Sequence, residues 1–395
     1  MSVVGSENSA LESDVFEQLR TAVRRFVRDR LVPLERQVDE DNAVPPAIVA
    51  EMRALGIAGL TIPTEYGGLG LNCLEEAQIV MELGWTSPAF RSVFGTNIGI
   101  GAQGLIIDGT DEQRRAYLPA LAAGELVSSF CLTEPEAGSD AGSLRTTARC
   151  EGADYIINGT KRFITNAPNA GIFTVMARTR PDSKGAGGIT AFLVDAKLSG
   201  ISVGKPDKKM GQRGALTSDV NFDDVRVPET AILGGPSMEG QGFKTAMKVL
   251  DRGRIHIAAL CIGAARRLIA ESLRYSGDRK QFGRRIGDFQ LVQAMLADSQ
   301  AEVYAAETMV LDAARRHTRG ENIILEASCC KMYCSEMVGR VADRAVQIHG
   351  GAGYMSEYGI ERFYRDVRLF RIYEGTTQIQ QLVIAREMRR RAEQG

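Results

Sequence analysis

Residues 289–310 are FQLVQAMLADSQAEVYAAETMV, and this stretch carries the clearest helical pattern of the chain. Its apolar side chains at positions 289, 292, 295, 296, 303, 306 and 310 keep to one stripe of a helix. Similar patterns cover residues 243–276, 323–348 and 376–391. Long helices joined by short turns favour an antiparallel four-helix bundle, which we predict for residues 237–395.

The sequence changes character twice upstream of this bundle. Between residues 125 and 236, short apolar runs such as Tyr155-Ile156-Ile157 and Ile172-Phe173-Thr174-Val175-Met176 alternate with turn residues. That pattern predicts a small antiparallel β domain. Residues 1–124 return to helical spacing with glycine and proline between the segments, which predicts an α-helical domain. The expected fold class is therefore multidomain α+β, with domains at 1–124, 125–236 and 237–395.

Composition limits the functions that this chain can have. The 395 residues contain 48 Lys and Arg against 49 Asp and Glu, so no overall field favours nucleic acid or an anionic membrane. The 7 cysteines are scattered and odd in number, and the 3 histidines are not paired at ligand spacing. We therefore expect a reducing compartment and no metal site. The first 14 residues contain no apolar signal region, so we expect a cytoplasmic location without a membrane span.

A lone carboxylate stands next to a glycine at the start of the last predicted helix, in the stretch Arg371-Ile372-Tyr373-Glu374-Gly375-Thr376-Thr377-Gln378. A carboxylate moved into a closed apolar site becomes a stronger base, because desolvation penalises its charged form. Glu374 is therefore a candidate catalytic base, with Gly375 allowing a ligand to approach the backbone. The alternative is a helix N-terminal Glu that only complements the helix dipole.

Four other blocks accompany this stretch: Phe130 to Asp140, Arg162 to Asn166, Arg279 to Gly283 and Gln347 to Gly351. Together, in this order, they resemble the acyl-CoA dehydrogenase family. The resemblance implies an α domain, a β domain and an α bundle, FAD as the cofactor, and usually a homotetramer. It implies α,β-dehydrogenation of a fatty acyl-CoA to the trans-2-enoyl-CoA, with Glu374 as the base and an electron-transferring flavoprotein as the acceptor. A few relatives carry their base at the position of Gly253, which cannot act as one.

The resemblance also assigns the remaining site residues. Those expected to bind the cofactor are Phe130, Leu132, Thr133, Ser139, Phe163, Thr165, Arg279, Gln281, Phe282, Gln347, Gly350, Gly351, Thr376 and Gln378. Of these, Arg279, Gln347, Gly350 and Gly351 are expected to reach the FAD diphosphate of a neighbouring subunit. The residues expected on the substrate path are Ser139, Asp251, Arg254 and Gly375. Two positions depart from the family: Phe163 stands where most relatives have Trp, and His349 replaces an apolar residue.

Each of these assignments has a simpler alternative in the sequence. Residues 133–139 could only cap a turn, Arg279 could be a solvated surface residue, and Asp251 with Arg254 could form a surface ion pair. Gly99, Gly101 and Gly104 match the spacing of a dinucleotide-binding motif. No predicted strand precedes them, so we do not interpret them as such a motif.

The substrate and the reaction type are less well determined by the sequence. The glycines at 95, 99, 101, 104 and 253 predict a deep pocket and a medium to long straight acyl chain, although tight helix packing explains them equally well. Competing functions are a flavin-dependent oxidase or monooxygenase on the same fold, and a non-catalytic protein that binds acyl-CoA.

Overall fold

The computed structural model describes residues 11–183 and 185–394. The expectation of a cytoplasmic location was based on the first 14 residues, and the first ten of them lie outside this range. Within it, the predicted order of a helical, a β and a second helical domain is confirmed. No helix of the described residues combines the length and apolarity that a membrane crossing needs.

The first helical domain is built from short helices. Their bounds are α1 Ser13–Phe26, α2 Glu35–Asp41, α3 Pro46–Ala54, α4 Cys73–Leu83, α5 Pro88–Thr96, α6 Ala102–Asp108 and α7 Asp111–Ala122. A capping box begins α4, where the Asn72 side chain accepts from the N–H of Glu75 and the Glu75 side chain accepts from the N–H of Asn72. A short π-helical segment at 97–101 separates α5 from α6, so the glycine motif at 99–104 follows a helix and not a strand.

The β domain is one sheet rather than a set of hairpins. Its strands are β1 Ser128–Cys131, β2 Thr147–Glu151, β3 Asp154–Thr165, β4 Ile172–Arg178, β5 Ile189–Asp195, β6 Ile201–Val203 and β7 Thr217–Pro228. They are ordered β1-β4-β2-β3-β7-β6, and β5 pairs with β4. The antiparallel pairing that was expected holds for most neighbouring strands of the sheet, but β1 and β4 pair in parallel, with Ser128 opposite Ile172. The long crossover from β1 to β4 permits this pairing, since parallel neighbours cannot be joined by a tight turn.

The second helical domain contains the four predicted long helices and short connecting elements. Its bounds are α8 Gly242–Asp278, β8 Lys280–Gln281, β9 Arg284–Arg285, α9 Gln290–Thr318, α10 Ile324–His349, α11 Gly351–Tyr354, α12 Ile360–Val367 and α13 Thr377–Gln394. The 37-residue α8 is buried along most of its length. Its core residues pack with α9, α10 and also α4, so the hydrophobic core extends into the first domain.

The stripe on α9 is only partly covered. Val303, Ala306 and Val310 are buried, whereas Val292 and Met295 nearer its N-terminus are only half-buried. Leu291, beside them, is 82% exposed. The N-terminal half of α9 therefore presents apolar surface that residues 11–183 and 185–394 leave uncovered.

A buried ion pair secures the end of β1. The ammonium of Lys161, from β3, donates to Oε1 of Glu134 at 2.7 Å and to the carbonyl of Leu132 at 3.2 Å. Neither side chain reaches solvent to any extent. Glu134 also accepts from the N–H groups of Arg145 and Thr146. The pair thus anchors the loop that follows β1.

Replacing Lys161 with Met should destabilise the protein by about 3 to 5 kcal/mol, because Glu134 would remain buried without its counterion. Urea unfolding of the variant measures the loss. Adding Glu134→Gln to Lys161→Met should recover part of the stability, since the uncompensated charge is then removed. A single-variant loss below about 1 kcal/mol, the range of exposed ion pairs, would show that the charge is relieved in another way.

Candidate active site

A cavity of about 600 Å³ lies where α5, the segment after β1, the end of β3, α8 and the segment before α13 meet. It is lined by the candidate base Glu374 together with Gly375. The loop after β1 and the end of β3 contribute one wall, and α8 contributes another. Residues separated by more than 280 positions in the sequence therefore face one enclosed space.

The segment that carries Glu374 is held in an unusual backbone conformation. Glu374 has φ +52° and Gly375 has φ +90°, so two consecutive residues adopt left-handed values. Such values are costly for a residue with a side chain and persist where the surroundings impose them. Here the Lys331 ammonium donates to the Gly375 carbonyl at 2.5 Å, and the Gln380 amide donates to the carbonyl of Glu374 at 3.1 Å.

A second set of contacts ties both ends of this segment to α10. The Glu336 carboxylate accepts from the Arg371 guanidinium at 2.8 Å and from the Thr377 hydroxyl at 2.7 Å. These two partners flank Glu374 in the sequence. The backbone around the candidate base is thus fixed from one helix.

One oxygen of the Glu374 carboxylate is buried without a hydrogen bond. Among the described residues, Oε2 has no hydrogen-bond partner, although it is shielded from solvent. Burial raises the pKa of Glu374 above its usual value, and the positive charges of Arg91, Lys331 and Arg254 oppose that shift. This is the environment of a proton acceptor and not of a helix cap.

Gly253, on α8, lies directly against this carboxylate. A Cβ atom built on Gly253 would lie 2.5 Å from Oε2 of Glu374, closer than non-bonded atoms approach. The glycine therefore gives the carboxylate the space that it occupies. The observation agrees with the sequence argument that Glu374, and not position 253, carries the base.

Asp251 and Arg254 form a partly buried ion pair and not an exposed one. Their side chains are 19% and 7% exposed, and Arg254 Nη1 lies 2.6 Å from Asp251 Oδ1. Both residues line the cavity. Burial raises the pKa of Asp251 to about 6 despite this partner. The surface ion pair alternative is therefore wrong.

The residues assigned to the flavin ring lie together on the β-domain side of the cavity. They are Phe130, Leu132, Thr133, Ser139, Phe163 and Thr165. Phe163 has φ +58°, and its side chain is 59% exposed with the Arg162 guanidinium 5.0 Å from its ring centre. Gly138, beside Ser139, has no described atom within 4 Å of the place where a Cβ would stand. An aromatic face, hydroxyl groups and open backbone on one wall suit a planar ring with polar edges.

The other assigned cofactor residues are not brought to this cavity. Gln281, Phe282 and Gln347 line a separate groove of about 760 Å³ beside the β8–β9 hairpin. Arg279 is exposed at the end of α8. Four further assigned residues lie on neither lining: Gly350, Gly351, Thr376 and Gln378. Within one chain, the assigned cofactor residues are therefore not all brought together: six line the cavity, three line the separate groove and five line neither.

His349 has a structural explanation. Its Nδ1 lies 2.7 Å from the Ala345 carbonyl, and its ring stacks on Tyr275 with the centres 4.4 Å apart. The side chain is buried between α10 and α8. It is not among the residues that line the cavity.

Sequence reasoning missed a chain of hydrogen-bonded ionisable residues in the cavity wall. Arg91 Nε donates to His256 Nε2 at 2.7 Å, and His256 Nδ1 faces Glu76 Oε1 at 2.8 Å. Arg252 Nε donates to the other oxygen of Glu76 at 2.7 Å. These residues come from α4, α5 and α8, so no single stretch of sequence shows them. The only local signal is Arg91, a charged residue in the mostly apolar α5.

The glycines that predicted a deep pocket are mostly explained by packing. A Cβ at Gly95 would meet the Arg91 guanidinium, and one at Gly101 would meet the Ser128 side chain. Leu233 lies 3.1 Å from a Cβ at Gly104. Only Gly99 of the five faces space that the described residues leave open. The deep-pocket argument therefore loses most of its basis.

Comparison with known proteins identifies the family of this chain. The family models for the acyl-CoA dehydrogenase N-terminal, middle and C-terminal domains match residues 13–125, 129–225 and 240–389. A 3-(aryl)acrylate reductase of Clostridium sporogenes is 42% identical over 93% of this chain and 97% of its own length. Subunit CarC of the caffeyl-CoA reductase–Etf complex of Acetobacterium woodii is 40% identical, over 94% of this chain and 98% of its own.

A solved structure shows the same similarity. The butyryl-CoA dehydrogenase of Megasphaera elsdenii superimposes with a TM-score of 0.91 at 34% identity, covering 96% of this chain and 99% of its own. The matches span all three domains and include the stretch with Glu374. This chain therefore belongs to the acyl-CoA dehydrogenase family, whose members are oxidoreductases that act on the CH–CH group with a flavin.

Proposed function

We propose that this protein is an FAD-dependent acyl-CoA dehydrogenase that converts a straight-chain acyl-CoA to the trans-2-enoyl-CoA. The observation that carries the proposal is the enclosed, unpaired Oε2 of Glu374 in a cavity shared with the flavin-wall residues. A structural carboxylate would be paired or solvated. A carboxylate with one oxygen shielded from solvent and unpaired is suited to take the α-proton of a thioester.

The segment around Glu374 also leaves a backbone donor free. Its two carbonyls accept from Lys331 and Gln380, but within the described chain the Glu374 N–H donates to no acceptor. An N–H held in place at a thioester carbonyl would stabilise the charge that develops there, which is worth roughly 3 to 4 kcal/mol per donor. The same segment would thus supply both the base and one donor.

The wall formed by Phe130, Thr133, Ser139, Phe163 and Thr165 fits the ring of FAD. When bound, the flavin supplies the acceptor for the hydride that leaves the β-carbon. The protein's part is to hold the acyl chain between this wall and Glu374 and to exclude water. Phe163 keeps an aromatic face there without the indole N–H of Trp.

Asp251, Arg254 and Ser139 are proposed to contact the thioester and pantetheine part of the substrate, because all three line the cavity. The medium to long chain length remains a prediction. Of the five glycines on which it rests, Gly99 faces space that the described residues leave open. Anaerobic titration with saturated acyl-CoAs of increasing length, following flavin absorbance, determines which chain length the protein prefers.

Reduction of a 2-enoyl-CoA is a second candidate, because two of the relatives are named as reductases. The same geometry serves both directions, with Glu374 giving the α-proton back. An electron-transferring flavoprotein is the proposed electron partner, since one relative belongs to a reductase–Etf complex. The favoured direction of the overall reaction, from acyl-CoA to enoyl-CoA or back, then depends on the reduction potential of that partner.

A homotetramer is proposed from the second groove. Phe282 is 93% exposed and Leu291 is 82% exposed at its edge, which is costly in a monomer. A second copy would cover them and bring Arg279, Gln347 and the Gly350-Gly351 backbone to a neighbouring FAD. The location is proposed to be cytoplasmic.

Glu374→Gln should lower the rate of flavin reduction by acyl-CoA roughly 10²- to 10⁴-fold, the usual contribution of a general base. FAD content and CoA-ester binding should stay nearly unchanged, since the amide keeps the shape of the side chain. Stopped-flow absorbance measures the rate. The control is Glu357→Gln, an exposed residue outside the cavity. Full flavin reduction at the original rate in Glu374→Gln would remove the assignment of the base.

The rate should fall as pH drops through the raised pKa of Glu374, because only the ionised carboxylate accepts a proton. Lys331→Met should move this acidic limb to higher pH, since the Lys331 charge lowers the pKa of Glu374. Lys331→Arg, which keeps the charge, should move it less. The exposed Lys205→Met serves as the control. An unchanged limb in Lys331→Met would show that the ammonium has no electrostatic effect on the base.

Gly253→Ala should reduce turnover on the order of 10²-fold, because the methyl group would push the Glu374 carboxylate away by about 1 Å. Gly277→Ala on the same helix is a matched control, since no described atom lies within 4 Å of its Cβ position. Steady-state kinetics of both variants give the comparison. Equal losses in the two would point to a general effect on α8.

A further inference from the structure

A loop of the β domain reaches both helical domains. It connects β6 with β7, and we call its residues 209–215 the docking loop. On the side of the first helical domain, Arg213 Nη2 donates to the Glu40 carbonyl at 3.2 Å. The Gly214 N–H donates to Asn42 Oδ1 at 2.8 Å. The docking loop is thus attached to α2 and to the residue that follows it.

The same loop packs against α12 of the second helical domain. The Met210 carbonyl accepts from Arg365 Nη1 at 3.1 Å. A Cβ atom on Gly211 would lie 2.6 Å from the carbonyl carbon of Arg365, so the two main chains approach more closely than a side chain allows. This close contact between backbones fixes the position of the docking loop on α12.

Gln212, at the centre of the docking loop, has only 3% of its surface exposed. Its N–H donates to Asp366 Oδ1, and its side-chain amide donates to the Asp366 carbonyl at 3.1 Å. Its φ of +50° is a left-handed value, which persists where the surroundings impose it. The side-chain amide is therefore held on α12 in one orientation.

This amide also contacts the residue before the candidate base. Burial raises the pKa of the Tyr373 hydroxyl, and a hydrogen bond from the Gln212 side chain opposes that shift. Tyr373 lines the cavity, and its ring centre lies 6.0 Å from that of the buried Phe370. Gln212 thus connects the β domain, through Tyr373, to the peptide bond between Tyr373 and Glu374.

That peptide bond carries the Glu374 N–H, the proposed donor to the thioester carbonyl. The hydrogen bonds from Lys331 and Gln380 hold the carbonyls of Gly375 and Glu374, which follow this N–H in the chain. In residues 11–183 and 185–394, the Tyr373 carbonyl accepts no hydrogen bond. The direction of the N–H therefore depends on how the Tyr373 side chain is held.

The contact also relates two parts of the site that belong to different domains. Phe163 and Thr165 of the flavin wall lie at the end of β3, whereas Glu374 lies between α12 and α13. Thr165 pairs with Thr217, which begins β7 directly after the docking loop. The base and the flavin wall must act on neighbouring carbons, and a misplacement of about 1 Å costs on the order of 10²-fold in rate.

We propose that Gln212 is a positioning residue, which holds Tyr373 so that the Glu374 N–H points at the thioester carbonyl. The inference rests on the proposed function and adds a residue to the groups that polarise its substrate. Gln212 is not among the described residues that line the cavity, so it acts through Tyr373 and not on the substrate itself.

Gln212→Met tests this role, because Met keeps the length of the side chain but cannot donate a hydrogen bond. The backbone bond to Asp366 stays available, so the docking loop keeps that anchor. The rate of flavin reduction at saturating acyl-CoA should fall roughly 10- to 10²-fold, since the N–H donor is displaced and not removed. The KM should change little. The control is Gln18→Met, an exposed glutamine on α1.

Infrared spectroscopy separates positioning from a general loss of stability. The tightest-binding of butyryl-, hexanoyl- and decanoyl-CoA, isotopically labelled at the thioester carbonyl, is bound to Glu374→Gln with FAD, where turnover does not consume it. A hydrogen bond from the N–H lowers the frequency of the carbonyl band relative to the free thioester. Adding Gln212→Met should move the band back towards the free value, at unchanged FAD content and unfolding temperature.

Tyr373→Phe shows whether Gln212 acts through the hydroxyl. This change removes the group that Gln212 contacts and keeps the ring against Phe370. The double variant should be no slower than the slower single variant, because two changes that disrupt one contact are not additive. Multiplication of the two losses would show that Gln212 acts independently of Tyr373, which overturns the inference.

The other outcomes distinguish this inference from the proposed function. An unchanged carbonyl band in Gln212→Met overturns the positioning role, whether or not the rate falls. Flavin reduction by acyl-CoA in that case leaves the dehydrogenase proposal intact. A carbonyl band that depends on Gln212, without flavin reduction by any saturated acyl-CoA in the unmodified protein, supports the positioning role and counts against the dehydrogenase.

Discussion

The geometry of the candidate active site depends on holding one carboxylate in a fixed position, with an oxygen that is shielded from solvent and has no partner among the described residues. Glu374 stands on a backbone with positive φ, which is unfavourable for a residue with a side chain. The conformation is held by hydrogen bonds from Lys331 and Gln380 to the adjacent carbonyls. These partners lie on α10 and α13, so the packing of the second helical domain is what stabilises the segment.

The same carboxylate explains features elsewhere in the molecule. Gly253 interrupts the side-chain surface of α8 at the place where the carboxylate needs room. The cations Lys331, Arg254 and Arg91 moderate a pKa that burial alone would raise further. On the other side of the cavity, the buried pair of Lys161 and Glu134 anchors the loop that follows β1. The cavity around the candidate base is thus lined by residues of all three domains.

The sequence predicted those parts of the fold that depend on local pattern. The long helices could be recognised because their apolar spacing persists over many turns, and their ends were placed within a few residues. The same reasoning did not find that the described part of the chain leaves the N-terminal half of α9 uncovered, because periodicity shows which face is apolar and not what packs on it. It also expected an antiparallel sheet, since the parallel pairing of β1 with β4 involves strands that are distant in sequence.

For the site, the sequence by itself indicated the family, a candidate base and the residues assigned to the flavin, because these lie in short stretches with a characteristic order. Only the tertiary structure decided what fills the space beside each glycine and which charges lack a partner. Gly95 and Gly253 look alike in the sequence, yet one accommodates the Arg91 guanidinium and the other the Glu374 carboxylate. The physical reason is that burial and pairing of a charge depend on atoms from several distant segments, and those atoms meet only in the folded chain.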